Sequence, residues 1–419
     1  MTEYPRLLVS DRKGRVFDIK VRAAGMAGHN LYPLNPADLL PLPFGSELFY
    51  LPGRLPIGLD PDGNPFSLPE YTAVGGFVSP GYTQLFLPAY LEGPRPHRLP
   101  LFAYTAVAFY KGKVHAACIR VDRERRQDIR LMDMRAAGRC VRRFRKEYPA
   151  NRLIRHLERC ALEYGCPAGK NFFLGRYEAP LPTSPVCNAA CVGCISLQED
   201  SGCPATQPRI TFVPHPEEIA EVACIHIARV RHPVVSFGQG CEGEPLAVSP
   251  VLEEAIRIIR SRTSKGTINL NTNASYPEAL ASLLAAGLDS IRVSITSFQP
   301  ECYMRYYRPK KYDFADVLES LRIARKAGIH IAVNYLVFPG FTDSRPEIQR
   351  FFTILKRYRI DMVQWRNLNI DPVYYIEKMK FPKDMPAVGM RHLIEMVKKH
   401  FPSVSHGYFN PPKEKWYNT

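Results

Sequence analysis

The stretch Cys187-Asn188-Ala189-Ala190-Cys191-Val192-Gly193-Cys194 sets three cysteines in a C-x3-C-x2-C spacing within eight residues. A four-iron, four-sulfur cluster takes one thiolate per iron, because soft sulfur ligands suit iron–sulfur chemistry. Three closely spaced thiolates hold three of the irons and leave the fourth open, unless a distant cysteine completes the set. An open iron can accept the amine and carboxylate of a bound amino acid. The same spacing also reads as half of a zinc site, but structural zinc takes four ligands, usually from two paired clusters. The next cysteine, Cys203, lies nine residues on, and no C-x2-C pair follows it. A disulfide knot does not suit a chain of 419 residues whose first residues, Met1-Thr2-Glu3-Tyr4-Pro5-Arg6, show no apolar signal core.

Around this stretch the pattern is α/β. Extended apolar runs stand at 234–237, 267–271, 290–295, 330–337 and 361–365. They recur at intervals of roughly 25–40 residues, as parallel strands with crossover helices must. Helical patterns fall between them. Pro216, Glu217 and Glu218 open one, in keeping with proline and acids in a first turn, and Gly287 and Gly328 close two others. With a strand just before Cys187, this makes six βα units. Ligands of such folds bind at the carboxyl ends of the strands, and the cysteine loop opens there.

Directly after the second strand comes Gly238-Gln239-Gly240-Cys241-Glu242-Gly243-Glu244-Pro245. The cysteine loop followed by this turn, on a six-unit α/β pattern, resembles the radical S-adenosylmethionine (radical SAM) superfamily. Members carry a Gly-Gly-Glu-Pro-like turn here, and Glu242-Gly243-Glu244-Pro245 is similar to it, with Glu for the first Gly. The resemblance implies a partial (β/α)6 TIM-like barrel with the cluster loop after its first strand. It implies a [4Fe-4S] cluster on Cys187, Cys191 and Cys194, whose open iron chelates the methionine end of S-adenosylmethionine. An oxygen-sensitive enzyme follows, which reductively cleaves that cofactor to a 5′-deoxyadenosyl radical acting on an unidentified substrate. It takes its electrons from a donor such as flavodoxin or ferredoxin. Gly243 and Glu244 become cofactor-binding candidates, since a carboxylate and exposed carbonyls accept hydrogen bonds from the methionine ammonium. Asn273, Ser294, Asn334 and Arg366, at later strand ends, are candidates for the ribose, adenine or carboxylate. Each also reads as a structural strand-end polar group. Cys241 is the catalytic candidate, a thiol able to donate a hydrogen atom; a small buried turn residue is the plainer reading.

The rest of the chain divides by composition. Residues 1–119 read as a β-rich domain of short strands and hairpins, too dense in proline (Pro33, Pro36, Pro41, Pro43, Pro52, Pro56) for helices. Residues 120–179 read as a basic helical connector. Fourteen Arg or Lys stand against six Asp or Glu between 120 and 159, either as a solvated helix face or as an anion-binding surface. The barrel is expected over 180–370, and a C-terminal helix with a basic tail over 371–419. Cys118, Cys140, Cys160 and Cys166 match no second-cluster pattern, and no cysteine follows Cys302. The aromatic-basic run from Tyr303 to Tyr312 suits base stacking or a covered barrel mouth. A net charge of +16 puts an anionic partner or substrate among the expectations, in its narrower form RNA or another polyanion held by the 120–159 surface. With no membrane span, a cytoplasmic location is expected. A non-catalytic iron–sulfur or zinc-binding interaction module is the reading from another class. Glu244 and the strand-end polar groups argue against it, since a passive module has no use for a cofactor-shaped groove.

Overall fold

Two sheets of opposite character divide the chain in the computed structural model, which describes residues 4–94, 96–198 and 203–416. The first is a 13-stranded antiparallel sheet built between Arg6 and Arg120. Its clearest hairpin pairs Val107–Tyr110 with Lys113–Arg120. Lys111 and Gly112 turn it with φ of 48° and 74°, the left-handed backbone that matches the twist of tight hairpins. Dense proline keeps many strands to three or four residues.

The basic stretch folds as three helices, α1 (Met134–Glu147), α2 (Arg152–Leu162) and α3 (Pro167–Leu174). Asp133 and Asn151 cap the first two by accepting from Ala136 and Ile154 backbone N–H groups, supplying partners that a helix start lacks. Phe144, Phe172 and Phe173 pack edge-on beneath them. Several of the surplus cations are neutralised locally, by Arg145–Glu158, Arg152–Glu218 and Arg159–Glu163.

The second sheet has seven strands, all parallel, in sequence order: Glu178–Pro180, Val234–Phe237, Thr267–Thr272, Ser290–Ile295, His330–Val337, Met362–Asn367 and Ser405–Gly407. Strands covered on both faces are buried throughout, and Thr267–Thr272 is buried at every residue. The crossovers are α4 (Pro216–Arg229), α5 (Ser249–Arg262), α6 (Pro277–Ala286), α7 (Pro300–Tyr307), α8 (Phe314–Lys326) and α9 (Arg345–Tyr358). Gly287 (φ 112°) ends α6 in the left-handed conformation. Six strands lie where the sequence places them. After residue 371 the chain departs from one helix and a tail. It forms α10 (Pro372–Met379), α11 (Met390–His400) and the short seventh strand. Ser405-His406-Gly407 carries no apolar run, so only pairing to Met362–Gln364 makes it a strand. Among the described residues no helix is long and apolar enough to cross a membrane.

The antiparallel sheet docks on the carboxyl-end rim of the barrel. Thr83 Oγ1 donates to the Trp365 carbonyl (2.6 Å), and the Gln84 N–H donates to Asn367 Oδ1 (2.9 Å). Arg54, fully buried, reaches Asp371 (2.8 Å) and Glu92 (2.9 Å). Asp371 also accepts from the Leu99 N–H and caps α10. Removing one member of such a pair strands the other charge away from water. Arg54→Ala is therefore expected to destabilise the fold by about 3–5 kcal/mol. Denaturant unfolding of the variant against wild type measures it, and a loss below 1 kcal/mol, ~ that of a surface pair, would contradict the docking role.

Candidate active site

The three cysteines sit on a loop held on both sides. On one side it is clipped to α7: the Ala190 and Val192 N–H groups donate to the Tyr307 and Tyr306 carbonyls (3.0 and 2.9 Å), and the Lys310 N–H donates to the Asn188 carbonyl (2.7 Å). Tyr303, Tyr306, Tyr307 and Tyr312 are all buried beneath this clip, and Tyr303 stacks on Tyr307 with centroids 4.3 Å apart. These rings support the loop and are not presented for base stacking.

On the other side the loop meets the glycine turn. The Gly243 N–H donates to the Ser184 carbonyl (2.7 Å), and the Glu244 N–H donates to the Val186 carbonyl (2.9 Å). A Cβ on Gly243 would stand 1.9 Å from that Val186 oxygen, so only glycine fits. Gly238 (φ 76°) is fixed likewise, its absent Cβ falling 1.7 Å from the Asn271 carbonyl.

Glu242 and Glu244 are both buried, and both are occupied by protein donors. Glu242 accepts from the Thr183, Ser184 and Gln239 N–H groups. Glu244 accepts from Thr272 Oγ1 and from the Asn273 and Leu246 N–H groups. Burial pushes Glu244 up to about 7, against the pull of these donors, and Glu242 up to about 6 for the same reason. Asn273 Nδ2 donates to Asn188 Oδ1 in the cysteine loop (2.9 Å), and Asn188 donates to Ser275 (2.8 Å). Glu244 and Asn273 thus tie the third strand's end to both turns.

Cys187 and Cys194 line a cavity of about 220 Å³ with Arg209, Lys310 and Gln198. Arg209 lies 3.7 Å from Cys194 Sγ, and burial, then the Glu244 charge, pushes Cys187 up to about 11. No carboxylate or imidazole lines this cavity among the described residues. Cys191 does not line the cavity but lies close enough to feel the charges of Cys194 and Cys187, and thiols with two cations to offset thiolate charge fit an iron–sulfur cluster better than a hard-metal site.

Inside the barrel the strands carry polar groups at alternate positions. Ser236, Asn269, Asn271, Ser290, Arg292, Gln364 and Asn410 are joined by hydrogen bonds along and across the barrel interior. Asn410, from beyond the seventh strand, bridges Glu178 on the first strand and Gln364 on the sixth. Ser294 Oγ accepts from Asn334 Nδ2 (3.1 Å), and Asn334 Oδ1 has no partner. Arg366 donates to the Tyr408 carbonyl (3.2 Å). Arg292 donates to Gln364 (3.2 Å), and its buried Nε has no partner. Burial, then the Arg366 charge, pulls Arg292 down to about 9. Neither arginine has a carboxylate in ion-pair reach among the described residues, although Glu178 acts on Arg292 from further away. Arg292 and Glu242 were missed in the sequence, yet Ser290-Ile291-Arg292-Val293-Ser294-Ile295 alternates polar and apolar, which marks Arg292 as facing one side.

Cys241 is placed elsewhere than in the barrel interior. Its thiol faces α2, 3.4 Å from His156 Nε2, with Cys160 Sγ 3.5 Å from the same nitrogen. A hydrogen bond between the two thiols draws Cys160 down and sends Cys241 up. Cys118 is buried in the antiparallel sheet, and Cys140 lies on α1, so the four-cysteine grouping with Cys160 and Cys166 does not assemble.

Residues 181–352 match the family model of the Radical SAM superfamily, and this stretch of the chain is a radical SAM domain. Members of the superfamily use a [4Fe-4S] cluster and S-adenosylmethionine. The chain is 30% identical over 161 residues to a GTP 3′,8-cyclase of Aquifex aeolicus, covering 38% of this chain and 47% of that one. It is 32% identical over 103 residues to the GTP 3′,8-cyclase of Streptomyces coelicolor, covering 24% and 29%. The chain therefore spans less than half the length of these curated relatives. The structure of the FeFe-hydrogenase maturase from Carboxydothermus hydrogenoformans aligns over 67% of this chain and 76% of that one, at 16% identity and a TM-score of 0.35.

The Gly243 contact makes a direct expectation. Gly243→Ala must push the turn off Val186, so anaerobic reconstitution should load several-fold less iron and sulfide than in wild type. Gly138→Ala, on α1 where a Cβ would meet only the end of the Arg142 side chain at 3.8 Å, should load normally. Normal loading of both variants would separate the turn from the cysteine loop.

Proposed function

We propose that the protein reductively cleaves S-adenosylmethionine and directs the resulting 5′-deoxyadenosyl radical at a small substrate bearing an anionic group. The observation that carries the substrate class is the pair Arg292 and Arg366. They are two cations inside a polar barrel, Arg292 lowered first by burial and then by the Arg366 charge, with no carboxylate in ion-pair reach among the described residues. Guanidinium groups kept this way are matched to a carboxylate or phosphate that arrives with the ligand. The names of the similar curated proteins also carry an anionic substrate, GTP.

A [4Fe-4S] cluster on Cys187, Cys191 and Cys194 would supply the electron that splits the sulfonium cofactor. The chain's own residues then have distinct tasks. Arg209 and Lys310 offset the thiolate charge beside the loop. The Gly240 and Gly243 carbonyls of the 238–243 turn, which no protein donor takes among the described residues, accept the methionine ammonium, while Glu244, engaged by three protein donors, holds that turn at the third strand's end. Asn334, with a free Oδ1, and Ser294 suit the hydroxyl and amine donors of the nucleoside. Arg292 and Arg366 seat the substrate's anion. Val186 and Leu197, 52% and 42% exposed at the cavity edge, together with Lys310, suit docking of an acidic one-electron carrier such as flavodoxin or ferredoxin.

The test is a search for stimulated cofactor cleavage. A small-molecule cell extract is split on an anion exchanger, and each fraction is added to reduced protein with S-adenosylmethionine. The retained fraction should raise 5′-deoxyadenosine above the uncoupled rate. Arg292→Met should keep the uncoupled rate and need roughly ten to a hundred times more of that fraction, the loss expected for one charge-assisted hydrogen bond. Stimulation by the unretained fraction alone would refute the anionic class.

A further inference from the structure

The turn that carries Glu244 is also tied to α2, through side chains that the barrel chemistry does not use. His156 and Cys160 are four residues apart on α2 and therefore share one face. Cys241 reaches them from the turn. Their three ligand atoms lie within 4.8 Å of one another, and Cys160 and Cys241 are buried. Cys166, at the start of α3, is held to the same place by its N–H bond to the Cys160 carbonyl (2.9 Å). Its sulfur stands outside the group of three whose ligand atoms converge.

We propose that His156, Cys160 and Cys241 bind a structural zinc ion, distinct from the three-cysteine loop, and that the Cys166 thiol turns in as its fourth ligand. The spacing argues for a single ion. Zinc with Zn–S near about 2.3 Å and Zn–N near about 2.0–2.1 Å, at tetrahedral angles, sets nitrogen and sulfur about 3.5 Å apart. The two measured separations are 3.4 and 3.5 Å. A four-iron cluster spreads its thiolates over the corners of a cube, wider than this. Thiolate and imidazole together select zinc over magnesium or calcium. Three cysteines and one histidine complete a closed tetrahedron, the form that structural zinc takes. Bound there, the ion cross-links α2 and α3 to the residue preceding Glu242, and so fixes the turn from the side opposite Val186.

Metal analysis of full-length, anaerobically purified protein tests the site separately from the iron chemistry. Wild type is expected to hold about one zinc per chain. The triple variant Cys187→Ala, Cys191→Ala, Cys194→Ala should lose its iron and keep that zinc. His156→Ala with Cys160→Ser should lose the zinc. Because that variant could misfold, a second measurement uses wild type alone: cobalt(II) replacing zinc should give intense thiolate-to-cobalt charge-transfer absorption with tetrahedral d–d bands. The absorption should weaken in Cys166→Ser. Wild type without zinc and without the cobalt bands would overturn the site, as would zinc lost with the three-cysteine variant. An unchanged cobalt spectrum in Cys166→Ser would overturn the assignment of the fourth ligand.

Discussion

The arrangement depends on one close approach, the Gly243 backbone lying against the Val186 carbonyl where a single Cβ would stand 1.9 Å from the oxygen. Two loops that follow different strands are locked there into one surface. The cysteine loop gains a fixed wall, and the turn gains its position relative to the cysteines. Glu242 and Glu244 extend the lock by spending buried carboxylates on backbone N–H groups. Burial raises both acids, so each is held by donors at a real cost in desolvation. Carboxylates in these positions organise backbone first, and the Gly240 and Gly243 carbonyls of the turn are left without a protein donor among the described residues.

A second constraint acts from outside the barrel. The antiparallel sheet lies against the rim where the fifth and sixth strands end, through Thr83, Gln84 and the buried Arg54–Asp371 pair. That is the rim toward which parallel α/β folds direct their ligands. The N-terminal sheet therefore forms part of the site's surroundings, and α1 to α3 brace the turn on its outer side. The surplus of basic residues in 120–159 is partly a feature of this bracing, since Arg145, Arg152 and Arg159 are engaged with acids on neighbouring elements or turns.

Much of this was legible in the sequence, where local signals and long-range packing agree. Five of the six principal strands announced themselves as extended runs rich in β-branched and other apolar residues, recurring at the spacing of parallel strands with crossover helices. The cysteine loop and the turn were readable because metal and backbone geometry allow few residue types. What escaped were features created by distant partners. Ser405-His406-Gly407 is a strand only beside Met362–Gln364. Glu242 reads as a departure from the Gly-Gly-Glu-Pro pattern until Thr183 and Ser184 are seen around it. The convergence of His156, Cys160 and Cys241 joins residues 85 positions apart in sequence, and no spacing rule reaches that far. Tyr303 to Tyr312 left base stacking open beside the favoured covering of the barrel mouth, because burial beneath a loop leaves no mark on composition.

The central claim is that Cys187, Cys191 and Cys194 hold a four-iron cluster with one iron open to S-adenosylmethionine. Electron paramagnetic resonance of the reduced, anaerobic protein, recorded with and without the cofactor, tests it most directly. The account predicts a single reduced-cluster signal whose shape changes when S-adenosylmethionine is added, and which is lost in Cys191→Ala. A signal indifferent to the cofactor, or one that survives in Cys191→Ala, would contradict it.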